Sequence, residues 1–294
     1  MKILITGSDG QLGKALRKVL PENDTYFTTR KELDITDKNQ SVQQIISNRP
    51  DIVIHTAAYT DVDGCEKNKP LAYSVNVIGT KNVSLACQKI NALLVYISTD
   101  FIFDGAKKIA YQENDRPNPL SYYGKTKLEG ELLVKKLEKH LIIRTSWVFG
   151  EGPAFAKAST GKKNFVQTIL NLSKTKKEIS VVNDQVGCPT YAADLASAIW
   201  QLINPKSKII NQVSGIYHIT NQGSCSWYEF AKEIVKIKKL KIKIVPISTA
   251  EWRKIKPDSA TRPSYSVLDS LKLKRAGIVL RPWQEALREY LTNL

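Results

Sequence analysis

The stretch that decides the fold is the N-terminal one, in which residues 2–13 read KILITGSDGQLG. The run from Lys2 to Thr6 predicts a short buried strand, and a helical pattern extends from Gln11 to Leu20. Between them, three glycines have the spacing G-x-x-G-x-x-G. Such glycines let the backbone approach a pyrophosphate at a helix N-terminus, where amide groups and the helix dipole favour anions. The stretch therefore predicts the start of a dinucleotide-binding fold.

The order of the later elements extends this prediction. Residues 25–28, 51–56, 93–97 and 140–145 have strand patterns, and residues 69–90 carry a long helical pattern. The run at 93–97 is mostly apolar, as a strand buried on both faces of a parallel sheet should be. Because strands alternate with helices, the sequence predicts an α/β fold with a Rossmann-type, doubly wound parallel sheet.

The second half of the chain has a more mixed pattern. A loop rich in Gly, Pro, Ala, Lys and Ser at residues 151–163 predicts a crossing into a second lobe. Beyond it, the patterns predict strands at 179–183 and 216–220 and helices at 191–203, 227–237 and 283–294. We expect residues 1–150 to form an NAD(P)-binding Rossmann domain, completed by elements from about 180–205. Residues 151–294 are expected to form mainly a smaller C-terminal substrate-binding lobe.

The composition is that of an ordinary globular protein. Of 294 residues, 42% are hydrophobic and 24% are charged, and no apolar run approaches the length of a membrane span. The N-terminal apolar run is too short for a signal peptide, so we expect a cytoplasmic protein with no membrane partner. The formal charge of +16 would suit nucleic acid, but basic and acidic residues are interleaved and no nucleic-acid motif occurs. We expect no nucleic-acid partner, and the basic surface also suits a phosphorylated cofactor and substrate.

The chemistry is predicted by residues 121–131, SYYGKTKLEGE, which follow two prolines and should start a helix. Tyr123 and Lys127 are four apart and share a helix face. An ammonium beside a phenol lowers the phenol pKa, which gives a group able to exchange a proton near neutral pH at an alcohol or ketone. A second Tyr-x-x-x-Lys match, Tyr228 to Lys232, lies in an amphipathic run and is interpreted as core plus solvated face.

The end of the second predicted strand bears on the cofactor. In dinucleotide-binding folds an acid there holds the ribose 2′-hydroxyl of NAD. Here residues 28–31 read TTRK, and Arg30 would accept a 2′-phosphate, which favours NADPH with NADH as the alternative. The third predicted strand is followed by Ala57, Ala58 and Tyr59, at the sheet edge where ligands collect.

Together with Ser98-Thr99-Asp100 at the end of the fourth predicted strand, these features resemble the extended short-chain dehydrogenase/reductase family. Within it the chain is most similar to the dTDP-4-dehydrorhamnose reductases, and the match spans nearly the whole chain. The segments that carry the resemblance are 98–105 (STDFIFDG), 123–127 (YGKTK), 144–148 (RTSWV), 164–166 (NFV), 183–185 (NDQ), 187–190 (GCPT) and 262–263 (RP).

The resemblance implies reduction of the 4-keto group of a dTDP-linked 4-keto-6-deoxy sugar, dTDP-4-dehydro-L-rhamnose to dTDP-L-rhamnose, by NADPH or NADH. It implies a catalytic triad of Thr99, Tyr123 and Lys127. Thr99 would donate a hydrogen bond to the ketone oxygen, and Tyr123 would deliver a proton as hydride arrives. Lys127 would hold the nicotinamide ribose and lower the tyrosine pKa.

The resemblance and the residue chemistry together give two sets of binding residues. The expected cofactor-binding residues are Gly7, Asp9, Gly10, Gln11, Leu12, Gly13, Arg30, Asp34, Ile35, Ala57, Ala58, Tyr59, Tyr123 and Lys127. The expected substrate-binding residues are Thr99, Trp147, Asn164 and Arg262, with Lys162 and Lys163 as further candidates for the diphosphate. Trp147 could instead be core packing, Asn164 a helix N-cap, and the three cations surface charges.

The chain also departs from the family pattern. Phe101 stands where relatives usually have tyrosine. Some relatives bind Mg²⁺ between subunits through acids on the first helix and after the Gly-x-Pro-Thr segment, where this chain has Lys14-Ala15 and residues 191–193 (YAA). Four widely spaced cysteines and three histidines also argue against a zinc site. We therefore expect no metal, and either a monomer or a homodimer.

Two alternative functions stay open at this point. One is a non-catalytic NADP-binding regulatory subunit, similar to that of methionine adenosyltransferase, which need not keep the triad. The other is a different sugar-nucleotide reductase or epimerase. A 4,6-dehydratase would need an Asp-Glu pair beside Thr99, and the chain has Asp100-Phe101 there.

Overall fold

The structure is a computed structural model that describes residues 1–152, 164–206 and 214–294. In these residues the strands are β1 (Ile3–Thr6), β2 (Thr25–Thr28), β3 (Ile52–His55), β4 (Leu93–Thr99), β5 (His140–Thr145), β6 (Val148–Phe149), β7 (Glu178–Val182), β8 (Val186–Gly187), β9 (Thr190–Tyr191), β10 (Gly215–His218), β11 (Cys225–Ser226) and β12 (Lys243–Ile247). The helices are α1 (Gln11–Val19), α2 (Lys38–Asn48), α3 (Val62–Lys67), α4 (Lys69–Tyr73), α5 (Thr80–Ile90), α6 (Tyr122–Val134), α7 (Phe165–Leu172), α8 (Ala192–Ile203), α9 (Trp227–Ile237), α10 (Thr249–Ile255), α11 (Leu271–Arg275) and α12 (Trp283–Thr292).

Six of these strands form one parallel sheet in the order β2-β1-β3-β4-β5-β10. From β1 the chain goes outward to β2 and then returns to β3 on the other side of β1. The connections therefore diverge at the carboxyl ends of β1 and β3, and in open α/β sheets ligands bind in the crevice at such a point. The predicted Rossmann-type, doubly wound fold is confirmed.

Apolar residues on both faces of the strands hold the helices against the sheet. Ile3 and Ile5 are fully buried in one core cluster with Leu195 and other residues of α8 and α1. Leu4, which lies between them and points to the opposite face, is buried in a second cluster with Val83 of α5. Because successive side chains of a strand alternate between faces, only an uninterrupted apolar run can bury both.

The predicted helical run at residues 69–90 contains an irregularity. It is divided into α4, a π-helical turn over Ser74–Gly79, and α5, all continuous in sequence. A π turn inserts an extra residue into the i to i+4 repeat and often lies at a functional site. Residue 76 is within it and takes part in the candidate site below.

The second half builds a smaller unit beside the sheet and also contributes to the sheet itself. Short pairings join β7 with β12, β8 with β11 and β6 with β9. They surround an aromatic core in which Phe149, Phe230 and Trp283 are buried. By contrast, β10 is the outer strand of the main sheet and α8 packs with α1 in its core. Most of the predicted crossing at 151–163 lies outside the described residues.

A fully buried ion pair connects α6 to the sheet. Arg144 on β5 donates from Nε and Nη2 to the two carboxylate oxygens of Glu131 on α6, at 2.9 and 2.8 Å. The side chains are 1% and 0% exposed. Ser98 on β4 donates to the same carboxylate at 2.6 Å. A bidentate pair of this kind fixes orientation as well as distance, so α6 is held against two strands at once.

Replacing Glu131 by glutamine is expected to lower the free energy of unfolding by about 3–5 kcal/mol, because the Arg144 charge would stay buried without a counter-charge. Denaturant unfolding measures this. The matched control is Glu178→Gln, which breaks an exposed strand pair with Lys243 and should change stability by no more than about 0.5 kcal/mol. Similar small losses in both variants would contradict the role given to the buried pair.

Candidate active site

Two adjoining clefts open at the carboxyl edge of the sheet. The glycine-loop cleft, of about 340 Å³, is lined by Gly7, Arg30, Ala57 and their neighbours. The tyrosine cleft, of about 460 Å³, is lined by Thr99, Tyr123 and other residues that include members of the second half. Gly10, Thr56 and Ala58 line both. Every residue expected to bind the cofactor lines one of these clefts, and all four residues expected to bind substrate line the tyrosine cleft.

The glycine loop fits its place only because side chains are absent. Gly7 has φ of +69°, and a Cβ there would lie 2.7 Å from the Cα of Ala57. A Cβ on Gly13 would lie 2.5 Å from the Cα of Ser8. Gly10 is the N-cap of α1 and has no side chain to satisfy the first amides of that helix. The first turn of α1 therefore lines the tyrosine cleft with backbone N–H groups suited to an anion.

A buried histidine holds the ends of β1 and β3 together beneath the clefts. The Thr80 hydroxyl donates to the carbonyl of Asn76 at 2.7 Å and lies 3.2 Å from His55 Nε2. That hydroxyl must therefore accept from Nε2, which leaves Nδ1 to accept from the Thr6 hydroxyl at 2.7 Å. Burial lowers the pKa of His55 to about 3, so it is a neutral structural bridge.

Asn76, in the π turn, joins the loop after β3 to α6. Its Oδ1 accepts from the backbone N–H of Tyr59 at 2.8 Å, and its Nδ2 donates to the Tyr59 carbonyl at 3.1 Å. The same Nδ2 lies 3.0 Å from the hydroxyl of Thr126 on α6. One buried amide thus sets the position of the cleft loop relative to the helix that carries Tyr123.

Arg30 has an acidic neighbour, Asp34, which the sequence analysis named as a cofactor-binding residue but did not place beside Arg30. Its Nε lies 3.5 Å from Asp34 Oδ2, and both line the glycine-loop cleft. Partial burial opposes the charge on Asp34, but hydrogen bonds from the backbone and hydroxyl of Thr36 outweigh it and lower the Asp34 pKa. The strand end therefore carries an ionised acid as well as a cation, because the chain turns back and brings Asp34 to Arg30.

The three residues predicted to be catalytic come together in the tyrosine cleft. α6 begins after Ser121, whose hydroxyl accepts from the N–H of Gly124 at 3.1 Å. Tyr123 and Lys127 follow on the same face, and Thr99 reaches the cleft from the end of β4. The ring of Phe101 meets Tyr123 edge-on, with centroids 5.8 Å apart. The departure from the family pattern at residue 101 therefore puts a hydrocarbon edge against the tyrosine.

The sequence analysis predicts that Lys127 lowers the pKa of the Tyr123 phenol, and this prediction is wrong for the structure. Burial raises the pKa of the Tyr123 phenol, and the Asp100 charge adds to this, whereas hydrogen bonding with Thr99 opposes it. Burial also lowers the pKa of Lys127 to about 7, against a smaller opposing effect of Glu131. The Lys127 ammonium nitrogen lies 4.1 Å from the centroid of the Tyr96 ring. Helix spacing placed the two groups correctly, but desolvation disfavours the charged form of each. Tyr123 is therefore held as a neutral phenol.

The residues expected to bind substrate already contact other residues of the protein. Trp147 has φ of +47° and stacks on Trp227, with ring centroids 3.5 Å apart. Asn164 is the N-cap of α7, as the alternative interpretation predicted, and its Nδ2 donates to the Gly150 carbonyl at 2.7 Å. Arg262 forms an ion pair with Asp63 at 2.7 Å. Lys162 and Lys163 lie outside the described residues.

Comparison with known proteins places this geometry in a family. Residues 1–294 match the family model described as the RmlD substrate binding domain. The dTDP-4-dehydrorhamnose reductase of Aggregatibacter actinomycetemcomitans is 40% identical over 296 residues, which cover 98% of this chain and 97% of that protein. The chain belongs to the RmlD family of dTDP-4-dehydrorhamnose reductases. The resemblance predicted from the sequence is confirmed.

Two further proteins are similar to this chain over nearly its whole length. The spore coat polysaccharide biosynthesis protein SpsK of Bacillus subtilis is 41% identical over 293 residues, covering 99% of this chain and 96% of the relative. The crystal structure of dTDP-4-dehydrorhamnose reductase from Bacillus anthracis, in complex with NADP, has a TM-score of 0.89 and 42% identity, and the match covers all of both chains.

The sequence analysis did not single out two residues that line the tyrosine cleft, Asp100 and Trp227. Asp100 is 1% exposed beside Thr99, and its place directly after a buried parallel strand could have singled it out. Trp227 is the first residue of α9, whose Ser226-to-Glu229 capping box is visible in the sequence. Nothing in the sequence brings it to Trp147, which lies far away along the chain.

Tyr228 and Lys232, the second Tyr-x-x-x-Lys match, line neither cleft. The lysine ammonium lies 5.4 Å from the tyrosine ring centroid on the outer side of α9. Tyr228 packs at the edge of the aromatic core while Lys232 is exposed. The interpretation as core plus solvated face is confirmed.

The described residues contain no group of three or more His, Cys, Asp or Glu side chains placed to hold a metal ion. At the position on α1 where some relatives have an acid, Lys14 donates to the carbonyl of Gly152 at 2.7 Å. Within the same residues, no helix combines the length and apolar character needed to cross a membrane. All four cysteines are buried thiols outside any disulfide.

Lys127→Met is expected to raise the free energy of unfolding by roughly 2–5 kcal/mol at pH 6, because it removes a buried charge. Below pH 7, Lys127 is charged in the native wild type, so the full free-energy cost of burying that charge lowers its stability. As pH rises from about 7 towards the ordinary lysine pKa of 10.5, only the unfolded chain keeps its proton. Wild-type stability should therefore rise, and the advantage of the variant should shrink.

Denaturant unfolding at pH 6 and pH 9 measures this difference. Lys125→Met, on the exposed face of the same helix, is the control and should differ from wild type by no more than about 0.5 kcal/mol at both pH values. A Lys127→Met variant that is less stable than wild type at pH 6 would contradict the lowered pKa.

Proposed function

We propose that this chain reduces the 4-keto group of dTDP-4-dehydro-L-rhamnose to give dTDP-L-rhamnose, with NADPH as the reductant. The observation that carries the proposal is the convergence of Thr99, Tyr123 and Lys127 in one cleft that adjoins the glycine loop. The family supports it, since relatives with full coverage bear the name dTDP-4-dehydrorhamnose reductase. A donor group, a base-stabilising cation and a dinucleotide cradle are the parts that ketone reduction requires.

The glycine-loop cleft suits a dinucleotide. Added Cβ atoms at Gly7 and Gly13 would collide with backbone. Without side chains, the loop can turn tightly and present its backbone to a ligand. The loop and the first turn of α1 would hold the pyrophosphate, and Arg30 would hold a 2′-phosphate. Asp34, by contrast, suits a free ribose hydroxyl, which is consistent with NADH as a second cofactor. When bound, the cofactor supplies the hydride.

The catalytic residues handle the proton and the charge. Reduction of a ketone adds a hydride to carbon and a proton to oxygen. Tyr123, kept neutral by burial, gives its phenolic proton to the developing alkoxide, which is the stronger base. Thr99 donates a hydrogen bond to the same oxygen. Lys127 then lies on the same helix face as the phenolate that remains, and its ammonium form stabilises that charge.

The substrate would occupy the part of the tyrosine cleft made by the second half of the chain. The Trp147 ring offers an apolar face, and its stack on Trp227 fixes the orientation of that face. Arg262 could hold a diphosphate oxygen by exchanging its contact with Asp63. Asn164 acts through its cap of α7, whose N-terminal amides point toward the same region.

The wider organisation follows from this assignment. Residues 1–150 bind mainly the cofactor, with α8 and β10 completing that domain, and residues 151–294 bind mainly the sugar nucleotide. We expect either a monomer or a homodimer. A biosynthetic reductase that uses NADPH would work in the cytoplasm.

The alternative of a non-catalytic regulatory subunit is not favoured. Such a protein has no need for a buried tyrosine with a lysine on the same helix face and a threonine beside it. The structure of UDP-glucose 4-epimerase from Thermus thermophilus has a TM-score of 0.76 but is only 20% identical to this chain, so the likeness shows the fold alone.

The proposed activity is tested by NADPH oxidation with dTDP-4-keto-6-deoxy-L-mannose, compared with UDP- and GDP-linked 4-keto sugars. The dTDP sugar should be turned over fastest. Tyr123→Phe should lower turnover by about 10²–10⁴, the contribution of a positioned proton donor, while NADPH binding persists. Tyr228→Phe, in the second Tyr-x-x-x-Lys pair, should leave turnover unchanged. Turnover near the wild-type level in Tyr123→Phe would remove that residue from the mechanism.

Cofactor choice is tested at Arg30. Arg30→Ala should weaken NADPH binding by about ten- to a hundredfold, as expected for a lost charge-assisted hydrogen bond, and should change NADH binding little. Lys38→Ala removes an exposed charge that does not line the cleft and serves as the control for net charge. Isothermal titration of the wild type and both variants with each cofactor gives the dissociation constants. Equal weakening of NADPH and NADH would mean that another group holds the 2′-phosphate.

A further inference from the structure

Asp100 is a buried carboxyl at the end of β4 with two hydroxyl partners. Its side chain is 1% exposed. One oxygen accepts from the hydroxyl of Thr99 at 3.0 Å, and the other accepts from the hydroxyl of Ser266 at 2.6 Å. The mechanism above uses Thr99 and leaves Asp100 without a role.

The hydrogen bonds of Thr99 create a conflict that Asp100 can resolve. The Thr99 oxygen has one hydrogen to give and two lone pairs, and one lone pair accepts from the N–H of Phe101 at 3.2 Å. In the structure the single hydrogen goes to Asp100. The remaining lone pair of Thr99 faces the Tyr123 phenol, so the hydroxyl can only accept on its cleft side and cannot also donate to a ketone oxygen.

A protonated Asp100 reverses this arrangement. Its O–H would donate to the second lone pair of Thr99, while its other oxygen continues to accept from Ser266. The Thr99 hydrogen would then point to the cleft, toward the Tyr123 oxygen and any ketone oxygen bound beside it. One proton on the Asp100 carboxyl thus converts the cleft side of Thr99 from an acceptor into a donor.

We propose that Asp100 is a positioning residue whose protonation directs the Thr99 hydroxyl toward the ketone oxygen, an inference that rests on the proposed reductase function. The protonated form is the productive one, because it supplies the hydrogen bond that the developing alkoxide needs. The ionised form leaves Tyr123 as the donor and reduces the rate without abolishing it.

The groups around Asp100 allow its protonation near neutral pH. Burial raises the Asp100 pKa to about 6, although hydrogen bonds from Ser266 and Thr99 lower it. Two titratable groups face it, the Tyr123 phenol from α6 and the Cys188 thiol from the segment after β8. Burial raises the pKa of both, so both are neutral and leave the Asp100 charge uncompensated. A bound diphosphate would raise the Asp100 pKa further, since like charges disfavour ionisation.

Among the described residues, two cations line the same cleft, and their effect on the pH dependence must be separated from that of Asp100. Arg262 is paired with Asp63. Lys127 has a pKa lowered to about 7 by burial, so its titration can overlap that of Asp100. Variants at Asp100 and Ser266 distinguish the two groups, because neither substitution touches Lys127.

The first measurement is the pH dependence of kcat with NADPH and the dTDP-linked 4-keto sugar. The wild type should fall from a higher plateau to a lower one, about ten- to a hundredfold apart, with a midpoint at or above pH 6. Asp100→Asn places an amide donor next to Thr99 and mimics the protonated acid, so this step should disappear. An Asp100→Asn profile with the wild-type step at the wild-type midpoint would overturn the proposal.

The second measurement uses Ser266→Ala, which keeps the carboxyl and removes a hydrogen bond that favours its charged form. The midpoint should move to higher pH, with both plateaus retained. A merely structural role for Asp100 would change kcat or stability without moving a midpoint. An unchanged midpoint in Ser266→Ala would overturn the proposal even where Asp100→Asn fails to fold.

The third measurement tests whether the effect passes through Thr99. In a Thr99→Val background, adding Asp100→Asn should change the kcat profile by less than about twofold, because the two residues act as one unit. An equal effect of Asp100→Asn with and without the Thr99 hydroxyl would overturn the inference alone. A wild-type protein that reduces none of the nucleotide-linked 4-keto sugars would overturn the proposed function, and this inference with it.

Discussion

The buried pair of Arg144 and Glu131 is the interaction on which the site depends. It joins α6 to β4 and β5, so it fixes the distance between Tyr123, carried by the helix, and Thr99, carried by the strand. Arg144 also donates to the carbonyl of Glu113 at 3.1 Å, which ties in the loop before α6. Glu131 lies one helical turn beyond Lys127 and favours its charged form. An apolar pair of the same volume could hold the helix, but it would leave Lys127 without a counter-charge.

Burial, more than any single charge, sets the protonation of the groups around the clefts. It holds His55 and Tyr123 neutral and brings Lys127 close to its point of ionisation. This is costly for stability, because polar groups are taken from water without full compensation. It is useful for chemistry, because a neutral phenol remains a proton donor and small changes in charge on ligand binding can shift the balance.

Local patterns predicted the parts of this structure that depend on local spacing. The glycine loop, the alternation of strands with helices and the shared helix face of Tyr123 and Lys127 all follow from residues close together in sequence. What the sequence could not supply depends on distant contacts. Asp63 and Arg262 are separated by 199 positions, Trp227 reaches Trp147 only through the folded second half, and the raised Tyr123 pKa comes from surroundings that helix spacing does not reveal.

The π turn at Ser74–Gly79 has a consequence for how this chain can change. Leu71 in α4 and Val75 in the turn line the glycine-loop cleft, whereas Val83 beyond the turn packs on the sheet. One helical run therefore contacts both the cleft and the sheet, which lie at different angles around the helix axis. The extra residue of the π turn supplies the difference in angle. Each residue of an α-helix advances by about 100°. Loss of one residue there would give a more regular helix, yet it would rotate one of the two faces out of register. Insertions and deletions in this segment are therefore constrained in a way that the surface loops are not.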